Sequence, residues 1–157
     1  GGAIDIQLKL DPSRQDVTIQ VTAPQRTPQV EELLRRLSAL GRAPLQGWRG
    51  EEMTPLPQDK VVRCYAQEKR VYASLGNGDA PYLLRERLYE LEELLDPTLF
   101  VRISNGEIVN LDQVRAVDLS LTGTIRMTLT GGECAYVSRR YVKKIKETLG
   151  LRKERPG

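Results

Sequence analysis

Apolar and polar residues alternate at Ile4, Ile6, Leu8 and Leu10, and again at Val17, Ile19 and Val21. That period of two is the mark of a half-buried strand. Asp11-Pro12-Ser13 between the two runs is a turn signal, so the pair predicts a hairpin. The period then changes. Val30, Leu33, Leu34, Leu37 and Leu40 fall at helical spacing, with Thr27 as N-cap, Pro28 at the first helical position and Gly41 as the stop. The resulting ββα unit, residues 1–43, is too small to bury itself well. It is expected to dock on the rest of the chain or on another copy of itself, as a dimerisation or regulatory element.

Arg42-Ala43-Pro44 reads as a seam, followed by a second unit over residues 44–150. Leu45 to Met53 predicts a short strand interrupted by glycines, and Pro55 and Pro57 keep the next piece extended. Val61, Val62, Cys64 and Tyr65 predict a strand, Gln67-Glu68-Lys69 a polar tip, and Arg70 to Leu75 the return strand. Asn77-Gly78 predicts a hairpin turn. Leu84, Leu88, Leu91 and Leu95 predict a helix over 82–95, ended by Asp96-Pro97.

The stretch Phe100 to Leu111 is the centre of the pattern. Val101, Ile103, Ile108, Val109 and Leu111 favour strand, and Ser104-Asn105-Gly106 between them is a turn. The chain therefore runs out along a strand, offers a polar tip, and returns to the core. Further strands are expected at 114–121, 125–129 and 134–137, with turns at Thr122-Gly123 and Gly131-Gly132. Ser138 opens a last helix carrying Tyr141, Val142, Ile145 and Leu149, stopped by Gly150. Residues 151–157 read as a flexible basic tail. The fold class is mainly β, of α+β type and largely antiparallel.

Composition narrows the chemistry. The 157 residues hold no histidine and two cysteines without Cys-x-x-Cys spacing, which removes His-based triads and makes zinc a poor fit. No Gly-rich phosphate loop or activated nucleophile appears, so no enzyme, cofactor or small-molecule substrate is expected. Two isolated cysteines and the lack of a signal pattern or a long apolar run are read as a cytoplasmic, reducing setting. Net charge is only +3, yet residues 137–157 hold eight cations against two anions. Residues 82–96 hold five carboxylates against two arginines. One basic end suits an anionic partner, or is a solvated tail.

Three groups of residues stand out. Asn105 can donate to and accept from a base edge, adenine best, or can simply serve the turn. Arg139 and Arg140 sit in the first turn of a helix, where a cation opposes the dipole by roughly 0.3–1 kcal/mol. An anion held there would compensate, as would a salt bridge to the acidic segment 82–96. Lys143 and Lys144 read as non-specific phosphate contacts or solubilising charge. Arg102 alternates with Val101 and Ile103, so it points away from the core and either pairs with Glu107 or touches a duplex backbone. Asn110, between Val109 and Leu111, is expected to satisfy buried backbone groups.

From about Leu45 to Gly150 the chain resembles the LytTR family of DNA-binding domains. The likeness rests on the strand-tip-strand 61–75, the leucine helix 82–95, Phe-x-Arg-x-x-x-x-x-x-Val-Asn at 100–110, and Ser-Arg-x-Tyr-Val at 138–142. It implies an elongated antiparallel fold that binds double-stranded promoter DNA through loops between strands, as a homodimer on repeated half-sites. It further implies that Lys69, Arg70, Asn105 and Arg140 lie at contact positions, Arg140 matching better than Arg139. At Ser104 the family often has histidine. Residues 1–43 are too short for the receiver domain that usually precedes this family. The resemblance therefore implies a stand-alone form, controlled by oligomerisation or by another protein. The rival reading is a protein-interaction module with a membrane-protein regulator as its partner.

Overall fold

The computed structural model describes residues 3–151. The tail expected at 151–157 lies outside them except for Leu151. Helix α1 spans Pro28–Leu40, and the Thr27 hydroxyl accepts the Val30 N–H at 3.2 Å, as an N-cap should. Ten strands follow. They are β1 (Leu45–Arg49), β2 (Glu52–Leu56), β3 (Arg63–Gln67), β4 (Arg70–Ser74), β5 (Tyr82–Leu84), β6 (Phe100–Ser104), β7 (Glu107–Asn110), β8 (Val114–Asp118), β9 (Ile125–Leu129) and β10 (Cys134–Val137). Helix α2 (Leu88–Leu94) sits between β5 and β6, and α3 (Arg139–Thr148) follows β10. The pairings are antiparallel throughout. Seven strands form one sheet in the order β2-β1-β5-β4-β3-β7-β6, and three form a second in the order β10-β9-β8.

The seven-stranded sheet is covered on both faces where β3, β6 and β7 meet. Leu91 and Leu95 pack with Cys64, Phe100 and Ile108 on one side. Val101, Ile103 and Val109 pack with Ile125, Met127 and Val137 of the small sheet and Ile145 of α3 on the other. Neighbours such as Phe100 and Val101, or Ile108 and Val109, thus enter different cores, which is why these strands carry adjacent apolar pairs rather than strict alternation. Asn110 is fully buried. Its amide donates to the Val61 carbonyl at 2.9 Å and accepts the Asp112 N–H at 3.0 Å.

Three expectations change. The helix anticipated over 82–95 is split: Tyr82–Leu84 pair with β4 and β1 as strand, and helix begins only at Leu88. Sheet hydrogen bonds for Leu83 and Leu84 outweigh a helical leucine period. The single strand anticipated over 45–53 is a hairpin turning at Gly50, whose φ is +62°. Its second arm, β2, carries Pro55 at the sheet edge, where a missing N–H costs nothing. Finally, residues 4–10 and 17–21 form no strand. Their turn is closed, with the Asp11 carbonyl accepting the Arg14 N–H at 3.1 Å. Yet Ile4, Ile6, Leu8, Leu10, Val17 and Ile19 are all exposed. A two-stranded ribbon with nothing against its apolar face has too little burial to hold.

Candidate nucleic-acid interface

The β3–β4 turn, the β6–β7 turn and the start of α3 come together at one end of the molecule. Ala66, near the end of β3, donates its N–H to the Gly106 carbonyl at 2.8 Å. Ser138 donates its N–H to the Ile103 carbonyl at 2.9 Å, docking the start of α3 on β6. The Tyr141 hydroxyl donates to Asn105 Oδ1 at 3.2 Å. Asn105 is therefore the bridge between tip and helix, and Tyr141 is the residue it shares with Arg140, whose guanidinium lies 5.8 Å from the Tyr141 ring.

The two turns store strain differently. Ser104-Asn105-Gly106 looks like a left-handed hairpin turn in sequence, but neither Asn105 nor Gly106 has positive φ. The tip is held instead by Arg102, which donates to the Ser104 carbonyl at 2.7 Å and the Asn105 carbonyl at 2.6 Å. Ser104 Oγ accepts the Gly106 N–H at 3.2 Å. The backbone thus makes no demand for asparagine at 105. The β3–β4 turn is the reverse: Glu68 and Lys69 have φ of +52° and +68°, a conformation that favours Asn-Gly. Two side chains that resist this conformation hold it here.

The cations divide by what they touch. Arg102 is paired with Glu92, not with Glu107. Glu107 belongs to Arg63, which also holds Glu133, each at 3.0 Å. Burial pushes the Glu107 carboxyl above its ordinary range, against the pull of Arg63. Arg139 lies over the β8–β9 turn, its Nε 3.0 Å from where a Cβ would stand on Gly123. Arg140, Lys143 and Lys144 are exposed and, at i, i+3 and i+4, share one stripe of α3. Neither Arg139 nor Arg140 forms an ion pair among the described residues; the acidic segment spends Glu92 on Arg102 and its Glu90 on capping α2, where it accepts the Arg87 N–H at 3.0 Å. Ser138 occupies the N-cap position of α3 without a side-chain capping bond. The Tyr141 N–H is spent on the Ser138 carbonyl at 2.8 Å, which leaves those of Arg139 and Arg140 to face an anion at this helix start.

An open groove of about 690 Å³ lies alongside, lined by Lys69, Arg70, Arg85, Glu86, Arg102 and Asn105 among others. Lys69 and Arg70 are exposed at its rim. Lys69, Arg70, Arg102 and Asn105 are candidates by sequence pattern; Arg85, Glu86 and Tyr141 are not, and helical spacing assigns Tyr141 to the core. Nothing local in sequence signals a hydrogen bond across 36 residues. Cys64 is buried, its thiol pushed up to about 12, and Cys134 is exposed. No helix among the described residues is long and apolar enough to cross a membrane.

Fold and surface define an antiparallel β-scaffold that presents turns and a helix start. Among the described residues no two helices are consecutive, so no helix-turn-helix pair exists. The chain belongs to the LytTr DNA-binding domain family, whose profile matches residues 51–150. It is 32% identical over 147 residues to an uncharacterized HTH-type transcriptional regulator of Staphylococcus aureus (strain NCTC 8325 / PS 47), covering 93% of this chain and 98% of that protein. A similar regulator from strain MSSA476 is 34% identical over 134 residues, covering 85% and 89%. In structure it is similar to the LytTr DNA-binding domain of a methyl-accepting/DNA response regulator from Bacillus cereus. There the TM-score is 0.65 at 24% identity, over 71% of this chain and all of that one.

Proposed function

We propose that the protein is a sequence-specific, double-stranded DNA-binding transcriptional regulator that acts as a homodimer on repeated half-sites. The β3–β4 turn, the β6–β7 turn and the start of α3 lie against one stretch of duplex. Asn105 reads a base edge, and Lys69, Arg70, Arg140, Lys143 and Lys144 neutralise phosphates. Arg139 and the open N–H groups of α3 hold a further phosphate. Arg102 and Ser104 shape the tip. The observation that carries this reading is the Tyr141–Asn105 hydrogen bond, 3.2 Å long. It fixes an exposed amide, at a turn that does not require asparagine, onto the helix that carries Arg140. With one Oδ1 lone pair taken by Tyr141, Asn105 presents its amide N–H groups to acceptors on the base edge.

Two copies engage half-sites separated by whole turns of the duplex, about 10–10.5 base pairs or multiples of it, so that both face one side. The test is fluorescence anisotropy with the DNA upstream of the chain's own operon against random duplex of equal length. Specific binding is expected to lose roughly 1–3 kcal/mol in Asn105→Ala or Arg140→Ala, both exposed positions whose loss leaves the fold intact. Equal affinity for the two duplexes, or unchanged affinity in both variants, refutes the assignment and favours a protein-interaction module.

A further inference from the structure

We infer that the dimer of the preceding section, on which this rests, is built by the N-terminal segment pairing with itself: residues 4–10 of two copies form an antiparallel strand pair about a two-fold axis at Gln7. The apolar side chains of this segment have no surface in the single chain. Ile6, Leu8 and Leu10 are 87%, 85% and 81% exposed, and Val17 beyond the turn is 93% exposed. The segment already has strand-like sidedness, for Gln7 donates to Asp5 at 2.8 Å, which places odd-numbered residues on one side. The even-numbered residues Ile4, Ile6, Leu8 and Leu10 then share the other.

Charge order selects a second copy as the occupant. With Gln7 on the axis, Asp5 faces Lys9 of the second copy, and Lys9 faces its Asp5. Gln7 faces Gln7, Ile6 faces Leu8, and Ile4 faces Leu10. Every cross-strand position is matched, apolar to apolar and acid to base, as an isologous contact requires. A shift by one residue would put apolar side chains on the polar face. The turn at Asp11–Arg14 is formed, its Asp11 carboxylate accepting the Ser13 N–H at 3.1 Å and hydroxyl at 2.6 Å. It returns Val17, Ile19 and Val21 alongside. The dimer thus gains a four-stranded ribbon, enough strands to be stable where one hairpin is not. On α1, Leu40 is exposed, and Arg35 ties the helix to its own domain through Asp112 at 3.1 Å.

The test is sedimentation velocity on the full chain. Wild type is expected to be dimeric. Asp5→Lys sets lysine against lysine and Lys9→Asp sets aspartate against aspartate, so each alone is expected to dissociate at least about tenfold more readily. An equimolar mixture of the two restores the pairing, and a heterodimer is expected. Under oxidation, Gln7→Cys in a background lacking Cys64 and Cys134 is expected to cross-link to itself, since directly opposed strand residues lie within disulfide reach; Gln20→Cys is not. A monomeric wild type overturns the inference, as does a mixture no tighter than its components or a Gln7→Cys that fails to cross-link. Protection of the 4–10 amides from hydrogen exchange in a monomer would show the segment docking within its own chain and equally overturn it. DNA binding is judged separately on a duplex with one half-site, which Asp5→Lys is expected to bind as wild type does. If wild type dimerises but does not prefer that duplex, the DNA reading fails and the dimer stands.

Discussion

Replacing Lys69 by glycine is expected to make the protein more stable and a weaker DNA binder at once. Lys69 stands at φ +68° in a two-residue turn. A side chain in that region costs roughly 1–2 kcal/mol, because Cβ crowds the carbonyl. Glycine removes this cost but brings back about 0.5–1 kcal/mol of unfolded-state entropy. The net gain is on the order of 0.5–1 kcal/mol. For a chain of this length that is a rise in Tm of roughly 1–4 °C. Lys69 is exposed at the groove rim with no ion pair among the described residues, so no folded-state contact is lost. The DNA effect follows from charge alone. One fewer phosphate contact lowers the slope of log affinity against log salt by about 0.9 and weakens binding to all duplexes alike. Thermal unfolding by circular dichroism and anisotropy titrations at several salt concentrations measure the two effects. A variant that unfolds at lower temperature than wild type would show that the turn is not strained. An unchanged salt slope would remove Lys69 from the interface.

Other outcomes follow from the buried and bridging groups. Asn110→Ala strands the Val61 carbonyl and the Asp112 N–H and is expected to cost roughly 2–3 kcal/mol in urea unfolding; a cost below about 0.5 kcal/mol would mean water replaces the amide. Tyr141→Phe frees Asn105 and is expected to reduce preference for specific over random duplex by roughly 0.5–1.5 kcal/mol, with little change in Tm. Burial raises the Glu107 carboxyl above 4.5, so the folded state keeps its proton after the unfolded chain has released it. Wild type is therefore expected to lose stability relative to Glu107→Gln as pH rises from the unfolded value through the raised folded one. The opposite trend would show that attraction to Arg63 outweighs burial.

Residue pattern alone specified most of the strands. Alternation at 125–129 and 134–137, and the apolar pairs around Ser104-Asn105-Gly106, reflect burial that any pairing of those strands must satisfy. It also specified the exposed polar tips, because a turn between buried strands has to emerge into solvent. Pattern could not decide between helix and strand at Tyr82–Leu84, where leucines suit either and only the vacancy between β1 and β4 settles the matter. Nor could it say which turn is left-handed: Asn105-Gly106 has the composition, Glu68-Lys69 has the geometry, and the difference lies in the arginine that grips the former. Tertiary structure alone brought Tyr141 to Asn105 and Arg102 to Glu92, since contacts between distant residues depend on how elements pack. The N-terminal alternation is the converse case. Sequence marks two strands there, and the single chain leaves them unformed because their apolar face has nothing to lie against.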